Sequence, residues 1–145
     1  MNNTIKNALI SALLTFVWTM AEFWLGWHTT HYEVGKYTGA VALVFPVWLL
    51  WRSLKAARSA AGPLGFGQGA KLALVFGVVS SAAAIPSLLL YYKVINPAFQ
   101  PQPDAAEYVM IAVAGVVMGL VIGLIETALL RRRPRTAEKI ASKHG

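Results

Sequence analysis

The sequence contains no cysteine and few charged side chains. Only 13% of its 145 residues are charged, whereas soluble domains carry about 25%. The lack of cysteine excludes disulfide bonds, thiolate metal ligands and cysteine nucleophiles. Acidic residues are especially few, at six Asp and Glu against 13 Lys and Arg, while 57% of the residues are hydrophobic. This composition predicts a protein that is surrounded by lipid rather than by water.

Four apolar runs are each long enough to cross a bilayer, which takes about 20 helical residues. They predict an all-α integral membrane protein, a four-transmembrane-helix bundle with spans at about residues 8–27, 34–51, 72–92 and 108–130. Residues 1–130 then form a single transmembrane domain, and residues 131–145 form a basic tail. The second span is the least regular, because Lys36 interrupts its start and Pro46 is expected to kink it.

The basic residues are distributed unevenly between the two sides of the predicted membrane. Eleven of the 13 Lys and Arg lie in the amino end, in the loop between the second and third spans, and in the tail. The other two loops contain only Lys36 and Lys93. Because cytoplasmic loops are enriched in Lys and Arg, we predict a multi-pass protein of the bacterial inner membrane with both termini in the cytoplasm.

Small residues recur at intervals of four in the fourth span. Gly115, Gly119 and Gly123 follow Ala112 at this spacing. Such repeats let two helix backbones approach each other closely in a bilayer. The repeat is therefore predicted to pack against a neighbouring helix of the same bundle. The alternatives are a homo-oligomer contact and a contact with a partner subunit.

Glu22 and Glu126 are the ionisable residues that lie well inside the predicted spans. Such residues are costly in lipid and usually face protein or water. The topology places Glu22 near the outer end of its span and Glu126 near the inner end of its own. The two carboxyl groups are therefore expected in opposite leaflets, where they cannot form a catalytic dyad.

Each of these carboxyl groups has predicted partners of its own. Glu126 is expected to extend toward the arginines that begin at Arg131. Glu22 lies on the small, polar face of the first helix, where His28, Lys36 or Lys93 are its predicted partners. Glu22 is the better functional candidate of the two, and an interhelical hydrogen bond without further function is the alternative.

The first outer loop contains a His-x-x-His-x-Glu pattern formed by His28, His31 and Glu33. Imidazole and carboxylate groups are suitable ligands for zinc and nickel. However, this spacing matches no strong metal-binding pattern, and histidine is common at a membrane interface. These residues are weak metal candidates, and the sequence predicts neither a metal nor another cofactor.

Four arginines directly follow the fourth span: Arg131, Arg132, Arg133 and Arg135. Cations next to a membrane are attracted to anionic lipid by about 1 kcal/mol each. We therefore expect these arginines to contact anionic lipid and to anchor the topology. No nucleic-acid partner is expected, although the formal net charge is +7.

Several short segments, in their order and spacing, resemble the bacterial membrane family called Domain of Unknown Function 4199. The resemblance runs from about Ile5 to Leu130 and rests on four segments: 5–11, Trp51-Arg52, 64–67 with Lys71, and 91–97. Members of this family look like four-span integral membrane proteins without an established activity. The resemblance therefore implies the topology and no particular chemistry. Within the last segment, Asn96-Pro97 is expected to end the third span, with the Asn amide bonding exposed helix carbonyls.

The sequence contains no phosphate-binding glycine loop, nucleophile elbow or His-Glu-x-x-His motif. We therefore expect a non-enzymatic accessory or structural subunit that acts through partner proteins or lipids. The alternative is a small oligomeric transporter or proton-coupled carrier that uses Glu22. Four helices enclose little aqueous volume, so a carrier of this size would need to be an oligomer.

Overall fold

The computed structural model describes residues 2–98 and 103–132, apart from the side chains at 32, 36 and 132. This part of the chain is helical and contains no strand. The helices are α1 (Asn2–Trp24), α2 (Tyr32–Thr38), α3 (Val44–Ala61), α4 (Phe66–Leu90) and α5 (Ala105–Arg132). A 3₁₀ segment, Gly39–Leu43, joins α2 to α3, and a π-helical turn, Tyr91–Ile95, extends α4.

Four of the described helical segments are long and apolar enough to cross a membrane: Asn2–Trp24, Glu33–Ala61, Phe66–Ile95 and Ala105–Arg131. The prediction of an all-helical chain with four potential spans is therefore confirmed. The helices extend beyond the apolar runs because polar residues continue them, as Asn2–Asn7 do in α1. Glu107 and Asp104 start α5 with a capping box, in which each side chain accepts the other's backbone N–H at 2.8 Å.

The winding of the second span changes within its first half. It passes from α2 through the 3₁₀ segment into α3. Pro46 is the third residue of α3, and proline is tolerated in the first turn of a helix, where few N–H groups have intrahelical partners. The irregularity that the sequence assigned to Pro46 is therefore found just before it, as the 3₁₀ segment.

The helices form a bundle in which α1 packs against α3 and α4, and α5 packs against the same two helices. α1 and α5 consequently occupy opposite corners. Asn7 near the start of α1 bonds Ser53 in the second half of α3, so these neighbours are antiparallel. The buried hydrophobic core lies toward this end of the bundle and consists of Ala8, Leu49, Leu50, Leu54, Leu64, Ala73, Phe76 and Leu130.

The most extensive contact in the bundle is between α4 and α5. Gly77 of α4 lies so close to α5 that a β-carbon on it would be 3.1 Å from Val116 Cα. A β-carbon on Gly119 would be 3.4 Å from Gly77 Cα, and one on Gly115 would be 2.6 Å from Ser81 Oγ. A β-carbon on Gly123 would overlap Ala73. The three glycines of the α5 repeat therefore face α4 within the same chain.

The close α4–α5 contact predicts that Gly123→Val destabilises the bundle by roughly 1–3 kcal/mol, because the added methyl groups meet Ala73 in a packed interface. The matched control is Gly67→Val in the first turn of α4, where a β-carbon would meet nothing within 4 Å. Unfolding by SDS in mixed micelles, followed by circular dichroism, measures the difference. Equal stability of the two variants would contradict this packing.

Candidate functional site

Glu22 lies two residues before the end of α1, and only 3% of its surface is exposed. The chain then turns through Gly26, whose φ of +75° is in the left-handed region that favours glycine. The Gly26 carbonyl accepts the N–H groups of Thr30 and His31 at 2.8 and 2.7 Å. This compact turn carries His28 back over the end of α1, so residues close in sequence meet at a buried position.

A continuous line of polar contacts joins α1 to the end of α4. His28 Nε2 lies 3.3 Å from Glu22 Oε2, and His28 Nδ1 lies 2.5 Å from the Tyr91 hydroxyl. The same hydroxyl accepts a hydrogen bond from Asn96 Nδ2 at 3.1 Å. We call these residues the Glu22 cluster: Glu22, His28, Tyr91 and Asn96. Apart from His28, which is partly buried, its members are buried.

One arrangement of protons satisfies the whole line. Asn96 donates to the Tyr91 oxygen, and the Tyr91 hydroxyl donates to Nδ1 of a neutral His28. The ring proton of His28 is then on Nε2, which donates a hydrogen bond to the Glu22 carboxylate. The second carboxylate oxygen, Oε1, is buried and has no hydrogen-bond partner among the described residues. The cluster therefore ends on an acceptor that can take up a proton or another donor.

The π-helical turn positions the far end of the cluster. The N–H of Asn96 donates to the Tyr91 carbonyl at 2.7 Å, a bond between residues five apart. This wider turn brings the Asn96 side chain to the Tyr91 hydroxyl, and such turns are frequent at functional sites. Phe23 and Tyr92 meet the Tyr91 ring edge-on, with centroids 6.0 and 5.0 Å away. Aromatic rings thus border the polar line.

The three weak metal candidates do not come together as a ligand set. His28 is bound into the Glu22 cluster, whereas His31 and Glu33 lie at the start of α2. Among the described residues, no three His, Asp or Glu side chains are grouped closely enough to hold a metal ion. His28 instead acts as the link between a carboxylate and a phenol.

Glu126 lies on α5 with only 5% of its surface exposed. It lines an open groove of about 690 Å³ between α3 and α5, together with apolar residues that include Trp48 and Leu129. Both of its carboxylate oxygens are buried and have no hydrogen-bond partner among the described residues. A buried carboxyl group therefore borders an apolar groove on the outside of the bundle.

Arg131, the first of the arginines toward which Glu126 was expected to extend, forms no ion pair with it. The Arg131 guanidinium lies over the Phe66 ring, 4.5 Å from its centroid. Residues five apart on a helix point in directions about 140° apart, so Arg131 leaves α5 on a different side from Glu126. The side chain of Arg132 lies outside the described part of the chain, as do Arg133 and Arg135.

The two buried carboxyl groups, Glu22 and Glu126, lie at opposite ends of the bundle. The Glu22 cluster includes Tyr91, just after α4, and we call this the Glu22 end. Thr127, next to Glu126, occupies the space where a β-carbon on Gly69 would lie, near the start of α4. The length of α4 between these points is roughly 30 Å at 1.5 Å per residue. The two carboxyl groups therefore do not act on one substrate atom.

Tyr91 and Asn96 were not predicted as site residues. Both lie in the segment that carries the family resemblance, where the sequence predicted only a helix-ending role for Asn96. The Asn96 side chain bonds the Tyr91 hydroxyl rather than exposed carbonyls, which corrects that expectation. The sequence signal that could have identified them is that Tyr91 and Asn96 are polar residues five positions apart, directly before Pro97.

The Tyr91 hydroxyl bonds both His28 and Asn96. We therefore expect Tyr91→Phe to lower the free energy of unfolding by about 1–2 kcal/mol, because both side chains lose this hydrogen-bond partner. Tyr37→Phe is the control, since Tyr37 is 78% exposed. SDS unfolding of both variants in mixed micelles gives the comparison. A loss for Tyr91→Phe that is no larger than for Tyr37→Phe would contradict the cluster.

The chain was compared with known proteins. A family model described as "Protein of unknown function (DUF4199)" matches residues 6–105. The matched segment includes the whole Glu22 cluster, whereas Glu126 lies beyond it. No curated protein and no solved structure is significantly similar to the chain. Because the match covers more than half of the sequence, the chain belongs to the DUF4199 family of proteins of unknown function.

Proposed function

We propose that this protein is a non-enzymatic accessory subunit of a membrane complex and binds its partner in the groove between α3 and α5. The observation that carries the proposal is the buried carboxyl group of Glu126, with both oxygens lacking a partner among the described residues. A carboxyl group is costly in lipid unless it meets a hydrogen-bond donor. The groove beside it therefore favours an occupant that supplies such a donor.

The walls of the groove suit a helix that crosses the membrane. They are formed by large apolar side chains that are well exposed, among them Val44, Trp48 and Leu129. In a bilayer such side chains meet either lipid or another apolar helix. An acyl chain would fill the groove but would bring no donor to Glu126. We therefore assign the groove to a transmembrane helix of a partner protein that carries a donor side chain, such as Lys or Arg, at the depth of Glu126.

The proposal includes an orientation in the bacterial inner membrane with both termini in the cytoplasm. It is supported by the excess of basic residues in the amino end, the second loop and the tail. Four of the five described acidic residues lie at the Glu22 end of the bundle, namely Glu22, Glu33, Asp104 and Glu107. In the proposed orientation this is the outer end. In this orientation Glu126 and its partner helix meet in the cytoplasmic leaflet.

Site-specific photo-crosslinking in the source membrane tests the partner. A benzophenone amino acid at Leu129 in the groove should form an adduct with one membrane protein, whereas the same probe at Val117, outside the groove, should not. Glu126→Leu should weaken association about threefold to twentyfold, the range for hydrogen bonds between transmembrane helices. Glu126→Gln should lose less, because its amide oxygen still accepts a hydrogen bond.

The captured protein must also meet a chemical requirement. Its crosslinked segment should be a transmembrane helix with a donor side chain, and replacing that side chain with Leu should weaken association as much as Glu126→Leu does. An adduct with a second copy of this chain would contradict the proposal. Purification in mild detergent as a monomer, with no protein adduct at Leu129, would contradict it as well.

A second candidate function is a proton-coupled carrier that uses Glu22, as an oligomer. It is favoured by the hydrogen-bonded line of the Glu22 cluster and by a cavity of about 290 Å³ deeper in the bundle. That volume corresponds to roughly ten water molecules. Hydroxyl groups from α1 and α4 line the cavity, namely those of Ser11, Thr15, Ser80 and Ser81. These hydroxyl groups are the polar part of an otherwise largely apolar lining, which includes none of the Glu22 cluster.

The carrier function predicts that Glu22→Gln abolishes proton-linked flux, because the amide cannot exchange a proton with His28. The matched control is Glu33→Gln, which removes the same charge from α2 at the same end of the bundle. Flux is measured in proteoliposomes with a pH-sensitive dye inside the vesicles. Flux that is unchanged in Glu22→Gln, or lost equally in both variants, would remove Glu22 from the transport mechanism.

A further inference from the structure

A cavity of about 410 Å³ opens between α1 and α3 at the end of the bundle opposite the Glu22 end. It is lined by residues from the first turns of α1 and from the second half of α3: Asn3, Lys6, Asn7, Ile10, Arg52 and Ala56. This volume corresponds to roughly a dozen water molecules. The cavity therefore has room for a phosphate group with a small polyol attached to it.

The cavity carries two positive charges and no negative charge. Lys6 and Arg52 line it from different helices, and none of its lining residues is acidic. Neither Lys6 nor Arg52 forms an ion pair with another described residue. Glu126, the nearest described acid along the bundle axis, lines a different groove on the α5 side of α3. The electrostatic field in the cavity thus attracts an anion, and an arginine fork matches two phosphate oxygens.

The cavity is also lined by a polar side chain that the fold holds in place. Asn7 is only 8% exposed, and its Nδ2 donates to Ser53 Oγ at 2.9 Å. Ser53 Oγ in turn donates to the Leu49 carbonyl at 2.9 Å. An amide nitrogen carries two hydrogens, and the bond to Ser53 uses one of them. A fixed, neutral polar side chain therefore accompanies the two cations in the lining.

An apolar groove of about 360 Å³ adjoins this cavity along the outer surface of α1. It is lined by Asn2, Ile5, Lys6, Leu9 and Ile10, and it shares Lys6 and Ile10 with the cavity. Leu9 is 49% exposed and faces the surroundings of the bundle. A ligand that reaches from the cavity into this groove must combine an anionic head with an apolar chain.

We propose that the Lys6–Arg52 cavity binds the headgroup of one anionic phospholipid, with an acyl chain that passes along Leu9 and Ile10 of the adjoining groove. The position suits this ligand, since Arg52 directly follows the apolar run of the second span and the headgroup layer begins where such runs end. Basic pockets between transmembrane helices are typical sites for anionic headgroups. The site lies on the α1–α3 side and is independent of the partner groove between α3 and α5.

Native mass spectrometry of the whole protein in a neutral detergent tests the site. Phosphatidylglycerol should bind at one saturable site, and phosphatidylcholine should bind at least tenfold more weakly because its headgroup has no net charge. Lys6→Ala and Arg52→Ala should each weaken phosphatidylglycerol binding about fivefold, as expected for one cation near a lipid surface. The double variant should weaken it by more than either single change.

The matched control is Lys55→Ala, which removes an exposed cation from the same helix but does not line the cavity. Its affinity for phosphatidylglycerol should stay within twofold of the unaltered protein. Equal losses in Lys55→Ala and Arg52→Ala would show diffuse charge attraction and overturn the site. Inorganic phosphate or glycerol phosphate that binds as tightly as the lipid would overturn the lipid assignment, because a free anion gains nothing from the apolar groove.

Discussion

Inside a bilayer a polar group finds no water, so every backbone amide and every buried polar side chain depends on partners within the protein. The helices satisfy the hydrogen bonds of the backbone. The parts of the bundle therefore differ in the partners of their polar side chains. At the Glu22 end His28, Tyr91 and Asn96 meet this requirement except at one carboxylate oxygen, Glu22 Oε1, which has no hydrogen-bond partner among the described residues. At the other end both carboxylate oxygens of Glu126 lack such a partner among the described residues. The first carboxyl group is therefore held by partners within the bundle, whereas the second depends on a group from outside it.

The close contact of α4 and α5 forms one wall of the internal cavity. Because glycines allow these two backbones to touch, α4 and α5 form a tightly packed pair at which side chains occupy little space. α1 and α3 are joined to this pair by larger side chains such as Phe76 and Leu50. The internal cavity lies between the glycine face and these helices. The close α4–α5 packing is thus followed, toward α1 and α3, by the internal cavity.

The helices could be predicted from the sequence because an apolar run of sufficient length is a local property, and lipid leaves such a run few alternatives to a helix. The Glu22 cluster could be predicted only in part. His28 was among the expected partners of Glu22, since both lie near the end of one helix. Tyr91 was not, because its contact with His28 joins residues 63 positions apart and depends on the turn at Gly26. Arg131 was assigned to Glu126 by nearness in sequence, whereas the helical rotation between them directs it to Phe66.

α3 is the helix that both proposed binding surfaces share. Trp48 and Trp51 line the groove toward α5, while Arg52 and Ala56 line the cavity toward α1. These residues fall within about two helical turns, so a partner helix on one side and a lipid headgroup on the other would hold the same stretch of α3. The groove and the cavity share no lining side chain. The two proposed ligands therefore do not compete for the same contacts, although one helix presents both surfaces.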